Sequence, residues 1–240
     1  MRFADHVAVI AGAGSGIGKA IAMGLAPLGS SLYLIGRNKE KLDEVSHGAK
    51  GAPRVVACAA DLARDDDIRR VCDDVYNEFG KVDILVHSLG VFASGAVDIA
   101  SLDDFDMQFR TNLRAPYALT KTLLPMITPM KGQVVFINSS AGYHSGRAGL
   151  SQYAATKHGL RAFADSLREE INPNGMRVLS VYPGRTATPM QEAVHGIEGK
   201  PYNPSLLLQP EDVASVVIHA LGLPGTAEVT DICIRPMVKQ

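Results

Sequence analysis

The sequence predicts an α/β fold: a doubly wound, parallel seven-stranded sheet with helices on both faces, in a single domain over residues 1–240. Two observations carry this expectation. Short apolar runs alternate with helical patterns along the whole chain, which is the signature of parallel strands joined by right-handed crossovers. The residues able to do chemistry fall just after those runs, where the carboxyl edge of such a sheet gathers its loops.

The runs lie near 7–11, 31–36, 54–59, 82–87, 133–138, 177–182 and 229–235. The first feeds Gly12-Ala-Gly-Ser15-Gly16-Ile17-Gly18 and then a helical pattern from Lys19 to Leu28. Glycines at a strand-to-helix turn permit positive φ and close backbone approach, and the N–H groups opening the helix attract a pyrophosphate. The spacing Gly12-x-x-x-Gly16-x-Gly18 differs from the common Gly-x-Gly-x-x-Gly pattern. The second run ends at Gly36-Arg37-Asn38, the third at Asp61-Leu62, and the fourth at His87-Ser88-Leu89-Gly90. A long helical pattern from Ser101 to Ile127 opens with the capping sequence Ser101-x-x-Asp104 and carries Asn112 four residues before Pro116. Because proline lacks an N–H, the Asn112 carbonyl loses its donor there; either it is freed for another partner or the proline merely kinks the helix. The fifth run ends in Ser139-Ser140, and the sixth runs into Pro183-Gly184-Arg185-Thr186-Ala187-Thr188.

Tyr153 and Lys157 lie four residues apart in a helical pattern, so a phenol and an ammonium share one helix face. A cation within about 4–6 Å favours a phenolate and lowers the phenol pKa from roughly 10. By itself the spacing is equally that of an ordinary solvated helix.

Composition narrows the field. A chain that is 46% hydrophobic with a formal net charge of -1 can build one large core and shows no sign of nucleic-acid binding. No apolar run reaches the roughly 18 residues of a membrane helix, and Met1–His6 lacks a leader's long apolar stretch, so a cytoplasmic location without a membrane partner is expected. Cys58, Cys72 and Cys233 read as reduced thiols, and no metal-ligand spacing is present.

Taken together, Gly12-x-x-x-Gly16-Ile17-Gly18, Asn112, Ser140, Tyr153-x-x-x-Lys157 and Pro183-Gly184 resemble the short-chain dehydrogenase/reductase family over nearly the whole chain. The resemblance implies a Rossmann-like fold and an oxidoreductase that interconverts a carbonyl and a secondary alcohol by hydride transfer. It implies Ser140, thirteen residues before Tyr153, as hydrogen-bond donor to the substrate oxygen, Tyr153 as acid/base, Lys157 as its electrostatic support and ribose ligand, and Asn112 as a water-relay residue. It also implies cofactor contacts at Gly12, Ser15, Gly16, Ile17, Gly18, Asp61, Leu62, Ser88, Gly90, Tyr153, Lys157, Pro183, Gly184, Thr186 and Thr188. Gly36 stands where a ribose-binding carboxylate would be and Arg37 follows with a fork suited to phosphate, so NADP(H) is favoured over NAD(H); a solvated arginine opening a helix fits the same residues. Asp61 suits adenine or, equally, a helix cap. His87-Ser88-Leu89-Gly90 replaces the family's usual Asn-Asn-Ala-Gly, leaving hydrogen bonds to be supplied by His87 and Ser88, with His87 expected to be a buried structural residue.

Residues 189–209 lack clear periodicity and read as a substrate lid. Tyr143, His144, Met190 and Tyr202 are expected to line the pocket, with apolar lid residues suiting a small apolar carbonyl and Arg185 and His195 suiting a carboxylate or hydroxy acid. A non-catalytic NADP(H)-sensing module or an acyl-carrier-protein ketoreductase are the alternatives; the latter usually ends in Gly-Gly, unlike this chain. The resemblance further implies a homodimer or homotetramer.

Overall fold

The computed structural model describes residues 3–144 and 146–238, so Met1 and Arg2, the start of the segment read for a leader, lie outside the described residues. Seven parallel strands form one sheet: β1 (Val7–Ala11), β2 (Ser31–Gly36), β3 (Val55–Ala59), β4 (Ile84–His87), β5 (Gln133–Ile137), β6 (Arg177–Pro183) and β7 (Asp231–Ile234). Their order is β3-β2-β1-β4-β5-β6-β7. The chain therefore winds outward in one direction from β1 and then in the other from β4, which creates a switch point between those two strands. Ala8 lies opposite Leu32 of β2 and Ile84 of β4, and Ala11 opposite Ile35 and His87, so the carboxyl ends of the central strands are level.

β1 and β4 are buried on both faces and are accordingly apolar throughout apart from His87. Alternate residues serve two cores. Ala8 and Ile10 point to the side covered by α1 (Gly16–Leu25), α2 (Lys39–Gly48) and α8 (Pro210–Leu221), where Ile21, Leu25, Leu42, Val213 and Val217 pack. Val9 and Ala11 point to the side covered by α3 (Asp65–Phe79), α5 (Ala115–Ile127) and α6 (Ser151–Ile171), packed through Val71, Leu119, Leu123, Leu160 and Ala164.

The helical run expected from Ser101 to Ile127 is interrupted. Ser101 caps α4 (Leu102–Phe109) by accepting from the amides of Asp103 and Asp104, and a π-helical turn at Arg110–Arg114 separates α4 from α5. Pro116, placed where α5 begins, is the reason a normal i→i+4 ladder cannot pass through. The lid segment differs more from expectation. Residues Pro189–Ile197 form α7, with Thr188 accepting from the Gln191 amide as N-cap and proline at N1. The segment returns through a bridge between Thr186 and Leu208. No helix among the described residues is long and apolar enough to cross a membrane.

Candidate active site

The carboxyl ends of β1, β2, β4, β5 and β6 open into one cleft of about 470 Å³. Its floor is the glycine turn. Gly12 has φ +84, and a Cβ there would sit 2.5 Å from the Ser88 carbonyl oxygen; a Cβ on Gly18 would sit 2.2 Å from the Gly12 carbonyl. Only glycine lets the β1 turn, the start of α1 and the end of β4 meet this closely. Ser15 is the extended N-cap of α1 and makes no side-chain cap bond, and the first turn of α1 holds no acidic residue. An anion would find open amides and no competing carboxylate there. These observations fit a dinucleotide's phosphates.

At the end of β2, Gly36, Arg37, Asn38 and Lys41 all border the cleft. Asn38 caps α2 by accepting from the Lys41 amide at 2.9 Å, which fixes Lys41 beside the glycine turn. Sequence reading offered Arg37 alone; Lys41 is a second cation at that corner, detectable only once the α2 cap is known. Asp61 and Leu62 also border the cleft. Asp61 does not cap α3: its Oδ1 accepts from the Ala63 amide at 3.1 Å, while its own amide donates to Asp67 at 2.7 Å.

The fourth strand corrects one expectation. His87 does not supply hydrogen bonds to the cleft. It is 1% exposed, pairs through Nε2 with Thr120 Oγ1 at 2.8 Å and stacks on Phe136 at 5.0 Å. Burial lowers its pKa to about 3, so it stays neutral. Ser88 and Gly90 do border the cleft. Past them, Asn112 holds the chain as a clamp: its Oδ1 accepts from the Val91 amide at 2.8 Å and its Nδ2 donates to the Val91 carbonyl at 2.9 Å. The same Nδ2 lies 3.2 Å from Thr156 Oγ1, which donates to the Tyr153 carbonyl. Asn112 is thus tied to the Tyr153 turn of α6 through its side chain.

Tyr153 and Lys157 are both buried on the inward face of α6. Lys157 Nζ lies 5.8 Å from the Tyr153 ring centroid. Burial lowers the Lys157 pKa to about 8. Burial also raises that of Tyr153, and the influence opposing the rise is a hydrogen bond with Ser139. Two expectations change here. The expected depression of the phenol by Lys157 gives way to a rise caused by burial, and the hydroxyl that opposes this rise is that of Ser139 rather than the expected Ser140. Ser140 is exposed and opens a short 3₁₀ turn, Ser140–Gly142. Ser139 Oγ accepts from the Ala141 amide at 3.2 Å, which leaves its own proton to donate into the cleft. The turn is pinned because a Cβ on Gly142 would meet Asn138 Oδ1 at 2.5 Å and the Lys157 carbonyl at 2.7 Å. Asn138 itself donates to that carbonyl at 3.0 Å.

The far wall holds Pro183, Gly184, Arg185, Thr186, Thr188 and Met190. The Thr186 hydroxyl donates to the Gly184 carbonyl at 3.1 Å, and Thr188 is engaged as the α7 cap. Met190 reaches across to Gly90, 3.5 Å from the position of a Cβ there. Of the four expected pocket residues, Met190 alone borders the cleft. Tyr143 packs against Tyr182 and under Arg161, His144 against Tyr143, and Tyr202 against His195. Sequence reading missed Phe92, whose ring meets Tyr153 edge-on at 5.1 Å, and also Arg147 and Glu198.

This constellation can hold an anionic dinucleotide along the glycine turn and present a buried phenol with a hydroxyl beside it. The short chain dehydrogenase family model matches residues 6–197. The chain belongs to the short-chain dehydrogenase/reductase family. An uncharacterized oxidoreductase from Staphylococcus epidermidis is 30% identical over 97% of this chain and 98% of its own length. Among solved structures, the alcohol dehydrogenase of the archaeon Thermococcus sibiricus, complexed with 5-hydroxy-NADP, is similar with a TM-score of 0.89 at 25% identity, covering 98% of each chain. A metagenomic short-chain oxidoreductase in complex with NADP is similar with a TM-score of 0.82 at 29% identity, covering both chains fully. As a short-chain dehydrogenase/reductase, this protein is an oxidoreductase acting on CH–OH groups with a nicotinamide cofactor.

Proposed function

We propose that the protein reduces a small carbonyl compound to a secondary alcohol with NADPH, Tyr153 delivering the proton and Ser139 donating to the substrate oxygen. The single observation that carries this reading is the buried Tyr153 phenol, which borders the cleft beside Ser139 and shares a helix face with the buried Lys157. A phenol raised above its usual pKa is fully protonated at neutral pH, which suits proton donation. The Ser139 proton is available because its oxygen is already occupied by the Ala141 amide. Lys157 at about pKa 8 is mostly cationic at neutral pH and holds positive charge beside the phenolate that forms. Asn112 keeps this turn of α6 and the loop after β4 in fixed relation. When bound, the cofactor supplies the hydride. Arg37 and Lys41, with no acidic residue at the end of β2, support a preference for a 2′-phosphate. The segment 189–209 acts as the cover, with Met190 as its contact over Gly90. A homodimer or homotetramer is the assembly this reading carries, checked by light scattering.

The test is loss of NADPH absorbance across ketones, aldehydes, β-keto esters and oxo acids. Turnover is expected with wild-type protein and a loss of about 10²–10⁴-fold with Tyr153→Phe. Substrate-dependent turnover at full rate in Tyr153→Phe would remove the phenol from the mechanism. Because Lys157 loses its proton above about pH 8, kcat/KM should fall roughly tenfold per pH unit beyond that point. A flat profile to pH 10 would count against a cationic Lys157.

A further inference from the structure

At the mouth of the cleft, one carboxylate meets three cations. Arg185, following β6, grips Glu198 with Nη2 at 2.9 Å from Oε1 and 2.7 Å from Oε2. Its Nη1 lies 3.2 Å from His195 Nε2, and His195 Nδ1 lies 2.8 Å from the Gln191 carbonyl. This pair of contacts assigns the imidazole: Nδ1 donates to the carbonyl and Nε2 accepts from the guanidinium. Arg185 is therefore held on both sides. Lys200 Nζ lies 3.1 Å from Glu198 Oε2. From the opposite wall, the loop between β5 and α6 sends Arg147 Nη2 to Glu198 Oε1 at 3.0 Å.

The charges do not balance. Arg185 and Glu198 neutralise each other, and Arg147 and Lys200 remain as surplus positive charge. Arg147 differs from Arg185 in what it uses. One of its donors bonds Glu198, and its side chain is 58% exposed. A guanidinium presents five N–H donors in a planar fork, so the free edge of Arg147 is an open receptor for a carboxylate. Arg147, Arg185 and Glu198 border the same cleft as Ser139 and Tyr153. The apolar remainder of that wall, Leu150, Met190 and Val194, would accommodate a short hydrocarbon spacer.

We propose that Arg147, with Lys200 on the same Glu198 carboxylate and Arg185 clamped by it, forms an anion subsite, so that the carbonyl substrate carries a carboxylate. This deepens the carbonyl-reduction reading and rests on it. Glu198 acts as the built-in anion that keeps the cations converged before substrate arrives. The substrate carboxylate takes the free fork of Arg147, the chain between carboxylate and carbonyl crosses the Leu150 and Val194 surface, and the carbonyl oxygen reaches Ser139 and Tyr153. An ester or plain ketone of the same length gains none of the charge-assisted bonds.

The test separates binding from turnover. Calorimetric titration of Tyr153→Phe protein saturated with NADPH would compare 2-oxobutanoate, acetoacetate and 4-oxopentanoate with their methyl esters. At least one acid should bind about tenfold or more tighter than its own ester, as loss of a charged hydrogen bond implies. In protein that also carries Arg147→Met, the ratio should fall to within about threefold. Equal affinity in every pair, no binding by either member, or a preference that survives Arg147→Met overturns the subsite. Acid preference without NADPH oxidation by wild-type protein would keep the subsite and defeat carbonyl reduction; oxidation without acid preference would do the reverse.

Discussion

The two walls of the cleft are built by different physics. The wall formed by β1, β4 and the start of α6 is held by backbone collisions, glycine approaches and fully buried side chains such as His87, Asn112 and Lys157. The wall formed by α7 and its return is held by part-exposed ion pairs around Glu198 and by one bridge at Thr186 and Leu208. Steric fit at a glycine tolerates almost no change, whereas ion pairs near water contribute little each and can be rewired. The contrast teaches that the wall carrying the glycine turn, Tyr153 and Lys157 is fixed by the fold, while the α7 wall is adjustable.

The largest test of this contrast is within the fixed wall. Ser139→Ala should cost about 10²–10³-fold in kcat, as loss of a donor to a developing oxyanion does, while Ser140→Ala should change it by less than about threefold. Equal losses would undo the assignment to Ser139. Next comes a pair of glycines. Gly12→Ala places a methyl 2.5 Å from the Ser88 oxygen at φ +84 and should destabilise by about 2–4 kcal/mol in urea unfolding. Gly196→Ala in α7 meets nothing within 4 Å and should stabilise by about 0.5–1 kcal/mol. If both glycines cost the same, the walls do not differ as described.

Acid should act on the fixed wall first. The folded pKa of His87 is depressed to about 3 against roughly 6.5 unfolded, so its contribution is complete above pH 6.5 and is lost as pH falls toward 3. Between pH 6.5 and 5 the loss is about 2 kcal/mol, and it should vanish in His87→Asn. Glu198 works in another window. Burial would raise its pKa, but hydrogen bonds from Arg185 and Lys200 outweigh that and hold it at about 2. Its contribution is therefore intact above about pH 4.5, the ordinary value, and is lost as pH falls toward 2. At pH 5 the lid ties should still be whole. The smallest expected effect is of salt. Molar sodium chloride shortens the screening length to about 3 Å and should weaken the Arg147–Glu198 tie by less than about 1 kcal/mol, read as faster amide exchange confined to α7. Exchange that speeds equally in α1 would contradict that confinement.

Much of the fixed wall was legible in the sequence because its causes are local. Val7–Ala11 followed by glycines can hardly be anything but a buried strand entering a turn, and β1 matches its expected span. The Tyr153–Lys157 spacing became a shared face as soon as α6 formed. Ser140 was singled out by a thirteen-residue count back from Tyr153, and such a count across the connection before α6 carries no geometry. What selects Ser139 is the 3₁₀ turn wedged by Gly142 against the Lys157 carbonyl, a contact between distant segments. The lid was read as loop although Thr188-Pro189 is a helix-start signal, because α7 repeats its apolar residues over too few turns to show a period. Tyr143 was placed by its nearness to Ser140 and Tyr202 by its position in the lid segment, yet their rings are taken up by Tyr182 and His195.

The wide turn at Arg110–Arg114 amounts to one residue more than an α-helix would use over the same rise. Gln108 before it is fully buried and accepts from the Ala93 amide at 3.1 Å, while Asn112 within it grips Val91. Excising a single residue there would swing each position upstream by about 100° around the axis relative to α5, while Pro116 would still interrupt the ladder. Gln108 and Asn112 would then lose their shared aim, and the segment from Val91 to Ala93 would keep the Asn112 clamp but lose the Gln108 one. The extra residue is thus a phase correction: it lets two amide side chains on one rod read a single passing chain.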